Sequence, residues 1–471
     1  MRRDKGINMY IDYSKSYRRR GRRAGNKVFR VLVVIMISAI LGLGAYYAIK
    51  LQIHIQEPGS GNLNRAGQTG TKGDELALGE GAEQGSNPSD SSPSSDPAAT
   101  QDPEADPAVS AEGNADGNGS EASAPAEPTK AADEPDTRIP TKAKGLYVTA
   151  RAAGTGSLRD YLIRIADTTE INALVIDVKD DNGKITYSMD SPLAKEIKAV
   201  TNMVPNMEAL LKELKAKGIY VIARIVAFKD PHLAEQRHDL AIKKTNGSLY
   251  RDNNGECWVN PYQKEVWDYL VDVASRAAAT GFQEIQFDYI RFSTGKGMDK
   301  VDFGEEAKTK TKEDVILEFT KYAYDKLKPL GVFVSADVYG TIISSKLDAG
   351  LVGQNYVEMA RYLDYICPMI YPSHFGEGNY GVKYPDLEPF KIIRKVLTAS
   401  KEKLDEIPSG EHRAIVRPWL QDFTASWLDH YMVYGPDELR QQIGGVYAAG
   451  YEEWLVWNAA CNYSVKGLME D

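Results

Sequence analysis

"EIQFDYIRF" (residues 284–292) contains both features on which the fold prediction depends. Ile285 and Phe287 alternate with polar neighbours, a pattern typical of a buried strand. Asp288 follows at the position where that strand should end. A carboxylate is costly to bury unless it is paired with a counter-charge or takes part in the chemistry of a site. The stretch therefore predicts a strand that carries an acidic side chain at its C-terminal end.

Seven similar apolar runs occur between residue 139 and the C-terminus, and most are followed by a helical pattern. They are "GLYVTA" (145–150), "ALVIDVKD" (173–180), "YVIARIVAF" (220–228), "VFVSADVYG" (332–340), "YICPMIY" (365–371), "AIVRPWLQ" (414–421) and "WLVWNA" (454–459). Strands that are apolar on both faces are typical of a parallel sheet covered by helices. The alternation predicts an α/β fold, a (β/α)8 TIM barrel over 139–471. An open doubly wound sheet is the alternative, but no glycine-rich phosphate fingerprint follows the first run.

Three segments with different compositions precede this domain. Residues 1–30 carry eleven Lys/Arg against two Asp/Glu, whereas 31–50 has no charged residue before Lys50. A run of this length can cross a bilayer as a helix, and the basic flank predicts a cytoplasmic N-terminus. We therefore predict a transmembrane signal anchor at 31–50. A cleaved signal peptide is the alternative, but the run is long and no small-residue cleavage site follows it.

The segment 51–138 is predicted to be a disordered acidic linker rich in Pro, Ser and Gly. Within it, 57–138 has no aromatic residue and no isoleucine, and it carries seventeen acidic against four basic residues. Such a composition cannot bury enough apolar surface to offset the entropy of ordering. The domain at 139–471 is therefore predicted to lie outside the cell, tethered to the membrane through the N-terminal helix.

Several classes of function are disfavoured by composition. No basic surface is left in the globular part of a chain with net charge -9, which disfavours nucleic acid as a partner. Cys257, Cys367 and Cys461 fit no metal-ligand spacing and are interpreted as small buried residues. No cofactor motif and no paired histidines at ligand spacing occur, so we predict neither cofactor nor metal, and a metal-dependent deacetylase is disfavoured.

Polar and aromatic side chains gather where the predicted strands end, the place where barrel enzymes hold their chemistry. Carboxylates with exposed aromatic rings indicate sugar chemistry, since glycosidic cleavage uses two carboxyl groups and rings stack on pyranose faces. We predict Asp288 as nucleophile or base and Asp337 as general acid. The predicted substrate-binding residues are Asp177, Lys179, Trp258, Arg291, Tyr371, His374, Trp419, Gln421, Asp422, Trp457 and Asn458. Of these, Asp177 and Asp422 favour a structural role, and Trp419 and Trp457 can equally be core residues between the barrel and its helices.

The motifs "FDYIRFS", "SADVYG", "CPMIYPSHF", "IVRPWLQDF" and "VWNAACNY" resemble those of a bacterial glycosyl hydrolase domain family related to the α-amylase-like TIM barrels. The resemblance implies a TIM barrel, glycoside hydrolysis and a membrane anchor. By position, Asp288 matches the nucleophile of amylase-type barrels, and Asp337 stands where they place a glutamate acid. Gln286 replaces the arginine expected two residues before the nucleophile, and Gln421 precedes Asp422 where a histidine is often found.

Two functions remain open from the sequence. The first is a membrane-anchored extracytoplasmic glycoside hydrolase that acts on cell-envelope or secreted polysaccharide. The second is a catalytically inactive barrel that binds glycan or a partner in envelope assembly, with its carboxylates serving structure.

Overall fold

Eight parallel strands run through residues 136–470, the part of the chain that the computed structural model describes. They are β1 (Lys144–Val148), β2 (Ala173–Lys179), β3 (Tyr220–Val226), β4 (Glu284–Asp288), β5 (Phe333–Tyr339), β6 (Tyr365–Met369), β7 (Ile415–Val416 and Trp419–Gln421) and β8 (Trp454–Trp457). Each strand pairs with the next, and β8 pairs with β1. The predicted closed barrel is confirmed.

Helices fill most of the connections between strands. The longer ones are α1 (Gly156–Thr168), α2 (Met207–Ala216), α3 (Lys264–Thr280), α4 (Lys312–Leu327), α5 (Lys346–Val352), α6 (Pro389–Leu404) and α7 (Pro436–Ala448). Shorter helices are Ala150–Gly154, Pro192–Glu196, Pro231–Gln236 and Tyr356–Met359. Each of these longer helices buries apolar side chains, and the strands themselves are buried on both faces, which explains why they read as continuous apolar runs.

The seventh strand is broken, which the sequence prediction did not anticipate. Val416 ends the first piece, and Pro418 precedes the second, which begins at Trp419. Proline has no N–H to donate to a ladder, so continuous pairing cannot pass through it. The second piece pairs with β6 through Trp419 and Met369 and with β8 over its whole length, which completes the barrel.

The N-terminal end of the barrel interior is filled by a buried ionic network. Arg417 donates from Nη1 to both oxygens of Glu284 at 2.9 Å and from Nε to Glu453 at 2.8 Å. Its guanidinium lies 3.7 Å from the ring centroid of Tyr365. Buried charges are tolerated only when paired and hydrogen-bonded. This end of the barrel is therefore a packed, structural layer.

The predicted segments 1–30 and 31–50, and nearly all of the linker 51–138, lie outside the described residues. Between residues 136 and 470, no helix combines the length and the apolar character needed to cross a membrane. Arg138, at the predicted end of the linker, forms an ion pair with Asp364 of the barrel domain at 2.7 Å. The three cysteines are free and buried, as the sequence interpretation expected.

Candidate active site

A cavity of about 360 Å³ opens at the C-terminal ends of the strands. This volume is within the range of sites that hold small ligands. Eight of the predicted site residues line it: Asp288, Asp337, Trp258, Arg291, Tyr371, His374, Trp419 and Trp457. They come from four strands, β4, β5, β7 and β8, and from the loops that follow β3, β4 and β6, so the barrel brings together side chains that are far apart in the sequence.

Asp288 and Asp337 project into the cavity from neighbouring strands. Phe287 of β4 is paired with Ala336 of β5, so the two aspartates follow at matching levels. Adjacent strands lie about 4.8 Å apart, which brings the two carboxyl groups near one another. Two neighbouring carboxyl groups facing one cavity satisfy the minimal requirement for acid-assisted cleavage of a glycosidic bond.

Asp288 is held by a cation and by its own turn. Arg224 of β3 donates from Nε at 3.0 Å and from Nη2 at 2.6 Å, both to Oδ2. The backbone N–H of Tyr289 donates to Oδ1 at 2.6 Å. Tyr289 has φ +51°, a left-handed conformation that non-glycine residues rarely adopt and that often occurs at functional sites. This sharp turn ends β4 and fixes the carboxylate at the cavity.

Asp337 has a different environment. Its Oδ1 accepts a hydrogen bond from Trp419 Nε1 at 2.6 Å, and its Oδ2 accepts none from the described residues. Burial, together with the nearby charge of Asp288, raises the pKa of Asp337 well above its usual value. A raised pKa favours the protonated form, and a protonated carboxyl group can donate its proton to a leaving group. Asp337 thus has the properties of a general acid.

Arg224 organises the acidic side of the cavity, and the sequence reasoning did not single it out. It is fully buried and pairs with Asp177 at 2.7 Å, with Asp181 at 3.3 Å and with Asp288 at 2.6 Å. Arg224 thus places a guanidinium against Asp288, while position 286, where the resemblance expects an arginine, is a glutamine. The signal was present in "YVIARIVAF", where a single arginine interrupts an otherwise apolar strand.

Asp177 lies behind this arginine and does not line the cavity. Its Oδ2 accepts a hydrogen bond from Tyr147 at 2.6 Å, and burial raises its pKa to about 6 despite the Arg224 charge. For Asp181, by contrast, burial favours the neutral form, but the charges of Arg224 and Lys229 outweigh it and lower the pKa. Lys229 Nζ also lies 3.1 Å from Glu256. The loop residues Asp181 and Lys229 both border the cavity, and no strand-end pattern pointed to them.

Four other predicted binding residues make contacts within the protein and are not part of the cavity lining. Lys179 is fully buried and pairs with Asp230 at 2.8 Å. Gln421 accepts a hydrogen bond from the Ser373 backbone N–H at 3.1 Å and donates to Asp386 at 3.2 Å.

Asp422 accepts from the hydroxyl of Ser464 at 2.8 Å, and Asn458 donates to the Asp422 carbonyl at 2.6 Å. With Asp177, these residues hold the rim loops in place. Their contact with substrate stays a prediction.

Aromatic rings form the floor and one flank of the cavity. Trp457 stacks on Tyr147 with centroids 3.9 Å apart, and Trp419 meets Trp457 edge-on at 5.8 Å. On the flank, Phe423 and Trp427 lie nearly parallel at 6.1 Å. Sugar rings stack on such faces. The rings of Phe423 and Trp427 come from the loop after β7, where the sequence offered no periodic pattern.

His374 borders the cavity near Tyr371, whose ring centroid lies 4.9 Å from its own. Burial lowers the pKa of His374 to about 3, so the imidazole is neutral at ordinary pH. Among residues 136–470, no group of three or more His, Cys, Asp or Glu side chains is arranged to hold a metal ion. The side chains that line the cavity include carboxyl groups, cations and aromatic rings.

Comparison with known proteins decides the family. The sequence profile of the family described as "Putative glycosyl hydrolase domain" matches residues 145–463, which includes all eight strand ends. The chain belongs to this glycosyl hydrolase domain family. The predicted resemblance and the predicted enzyme class, a glycoside hydrolase, are confirmed.

Solved structures provide two further comparisons, and a search of curated protein sequences gives no match. The glycoside hydrolase domain of PgaB (BpsB) from Bordetella bronchiseptica aligns with a TM-score of 0.50 at 11% identity, over 70% of this chain and 100% of its own. A hypothetical protein from Ruminiclostridium thermocellum is 40% identical over 41% of this chain and 97% of its own, with a TM-score of 0.38. The first of these likenesses supports the barrel fold.

Proposed function

We propose that this chain is a membrane-anchored extracytoplasmic glycoside hydrolase that cleaves glycosidic bonds in cell-envelope or secreted polysaccharide. The observation that carries the proposal is the pairing of Asp288 and Asp337 at matching levels of adjacent strands, in one cavity floored by aromatic rings. The apolar segment 31–50 and the acidic linker support the location.

In this mechanism a sugar ring stacks on the aromatic floor with its glycosidic oxygen near Asp337. Asp337 gives its proton to the leaving oxygen as the bond breaks, because burial and the Asp288 charge keep it protonated until then. Asp288 stabilises the positive charge that develops on the sugar, as nucleophile or as base toward water. Oδ2 of Asp288 is occupied by Arg224, so Oδ1, which accepts only the Tyr289 N–H, is the oxygen available to react.

The hold of Arg224 on Asp288 also favours a second candidate, a barrel that binds glycan without cleaving it. Arg224 places two hydrogen bonds on one oxygen and Tyr289 places one on the other. A carboxylate bonded in this way can be purely structural. The inactive barrel would keep the aromatic floor and use it to retain envelope polysaccharide.

Incubation with bacterial wall and capsule polysaccharides distinguishes the two candidates. The assay compares the release of reducing ends by four proteins: the wild-type full chain, Asp288→Asn, Asp337→Asn and Asp325→Asn. Asp325 is an exposed residue of α4, so its variant is the control. Hydrolysis predicts release by the wild type and the control and a loss of at least about a thousandfold in both site variants, the scale of a removed catalytic group. Saturable binding without release by any of the four proteins would support the inactive barrel.

A further inference from the structure

Arg291 differs from the other buried arginines of the described chain in having no carboxylate partner. It is 7% exposed and follows Asp288 by three residues, at the edge of the same cavity. Arg224 and Arg417 each pair with two or more carboxylates. For Arg291, the single hydrogen bond to the described protein runs from Nη1 to the Phe292 carbonyl at 2.9 Å. Burying a cation without a counter-charge is costly, so an arginine in this state needs an explanation.

Three aromatic rings surround the guanidinium and hold it in place. Its Cζ lies 5.0 Å from the ring centroid of Trp258, 4.9 Å from that of Tyr289 and 4.6 Å from that of Tyr339. Ring faces attract cations but leave the N–H groups at the guanidinium edge unbonded. Nε and Nη2 make no hydrogen bond with the described residues, and neither atom is sealed from solvent. The free edge is therefore open to a ligand in the cavity.

The carboxylates nearby are already engaged elsewhere. Asp252, on the same wall, accepts from Trp258 Nε1 at 3.1 Å and from two backbone N–H groups. Asp288 is held by Arg224. The counter-charge for Arg291 therefore does not come from this wall of the cavity.

We propose that Arg291 binds a carboxylate carried by the saccharide substrate, so that the substrate class is an acidic glycan. This inference rests on the proposed function, since it concerns the sugar bound beside Asp288. A planar guanidinium edge matches a carboxylate through two parallel hydrogen bonds. A doubly charged phosphate would meet more repulsion, because Asp181, Asp252 and Asp288 border the same space.

The rings that hold Arg291 also explain how such a sugar is positioned. Trp258 and Tyr289 meet edge-on at 5.8 Å and both border the cavity, so a pyranose ring can lie against one of them while its carboxylate reaches the guanidinium. The carboxylate can be that of a uronic acid or that of a lactyl ether on an amino sugar. Both present the same group to Arg291, and the experiment separates them.

The test measures equilibrium binding by calorimetry to the full chain carrying Asp288→Asn, which prevents turnover. The probes are a hexasaccharide of glucuronic acid, its carboxyl-reduced neutral counterpart, a muramic-acid-containing glycan hexasaccharide and a sulfated hexasaccharide. Each is titrated into the Asp288→Asn protein alone and into the same protein with Arg291→Gln, Arg291→Lys or Arg413→Gln. Arg413 is exposed and pairs with Asp405 away from the cavity. Arg413→Gln is therefore the control, because it removes one guanidinium without changing the cavity.

At least one carboxylate probe is expected to bind ten times more tightly than the neutral hexasaccharide. Arg291→Gln should bring the ratio of the acidic to the neutral affinity toward one. Arg291→Lys should give an intermediate ratio, because the charge remains without the planar edge. Arg413→Gln should leave the ratio unchanged. The probe that shows the preference identifies the source of the carboxylate. Equal binding of acidic and neutral probes, or tighter binding of the sulfated one, would overturn the proposal.

Failure of this proposal is distinguishable from failure of the proposed function. Asp288-dependent hydrolysis with no preference for acidic sugars would remove the role of Arg291 and leave the hydrolase intact. Arg291-dependent binding of a carboxylate probe, with no hydrolysis of it by the wild-type chain, would leave the acidic-glycan site and remove the enzyme. If Arg291→Gln unfolds, the Arg291→Lys ratio decides, since a lysine retains the charge that packs against the rings.

Discussion

Asp288 and Asp337 are the same residue type on neighbouring strands, yet their partners differ in kind. Asp288 forms an ion pair with the positively charged Arg224, whereas Asp337 accepts one hydrogen bond from the neutral indole of Trp419. Burial beside a like charge favours the neutral form of a carboxyl group, and this raises the pKa of Asp337. The two carboxyl groups therefore differ in their surroundings because each strand brings its aspartate to a different neighbour.

The alkaline limb of the pH profile should report Asp337. The raised pKa keeps the acid protonated above the usual aspartate range, and kcat/KM should fall as pH rises through that pKa because the proton is lost. His374 is not expected to contribute, since its pKa of about 3 leaves it neutral throughout. The measurement is kcat/KM against pH on polysaccharide for the wild type and for Asp337→Asn, with an aryl glycoside whose leaving group needs no proton as a second substrate. Asp337→Asn should retain more activity on this substrate than on polysaccharide and should lose the limb; a limb that persists would exclude Asp337 as the acid.

Trp419→Phe should move the same limb to higher pH. Trp419 Nε1 stabilises the ionised form of Asp337 through a 2.6 Å hydrogen bond, so its removal raises the pKa further. A hydrogen bond to a charged group is worth about 1.5–3 kcal/mol, so the limb should move by about one pH unit or more. Trp454→Phe is the matched control, because Trp454 Nε1 donates to Tyr447 and not to Asp337. A limb displaced to lower pH in Trp419→Phe would show that the indole acts in another way.

At the scale of strands and helices, the two ends of the barrel interior have separate tasks, each organised by a buried arginine. Arg224 on β3 joins carboxylates at the cavity, and Arg417 in the break of β7 joins Glu284 and Glu453 at the opposite end. The stability of the fold and the activity of the cavity can therefore be tested separately, by a substitution at each end.

Arg417→Met should destabilise the barrel without removing the site. It leaves Glu284 and Glu453 buried without their cation, which lowers the free energy of unfolding by about 3–5 kcal/mol. Arg413→Met, which breaks only the exposed pair with Asp405, should cost less than about 1 kcal/mol. Urea denaturation measures both, and kcat of the folded fraction of Arg417→Met should stay within about twofold of wild type. A loss of kcat with unchanged stability would contradict the structural role of this layer.

The strands were predictable because each is buried on both faces, so apolar runs mark them directly. The break in β7 was not, because "AIVRPWLQ" reads as one run until Pro418 is seen to interrupt the ladder. The strand-end rule selected Asp288 and Asp337, which line the cavity, but also Lys179 and Asn458, which bond within the protein. Position at a strand end does not reveal whether a side chain faces the cavity or the loop that supports it.

At the scale of the whole molecule, the cavity combines contributions that no single stretch of sequence contains. Phe423 and Trp427 reach it from the loop after β7, and Asp252 reaches it from the long loop after β3. Loops carry no hydrophobic period, so their residues become visible only when the barrel sets them around one opening. The closed sheet therefore determines which distant residues become neighbours, and the loops determine the character of the cavity.

The segments before the barrel lead to a prediction about where this cavity works. The apolar segment 31–50 beside a basic N-terminus should hold the full chain in the membrane with the barrel outside, because the positive flank is retained in the cytoplasm. Cell fractionation after an alkaline wash should recover the full chain with membranes and a chain lacking 31–50 in the soluble fraction. Protease added to intact cells should degrade the barrel of the full chain, whereas the chain lacking 31–50 should be protected inside the cell. A full chain that leaves the membrane on washing, or that resists external protease while a surface-exposed control protein is degraded, would contradict an extracytoplasmic hydrolase.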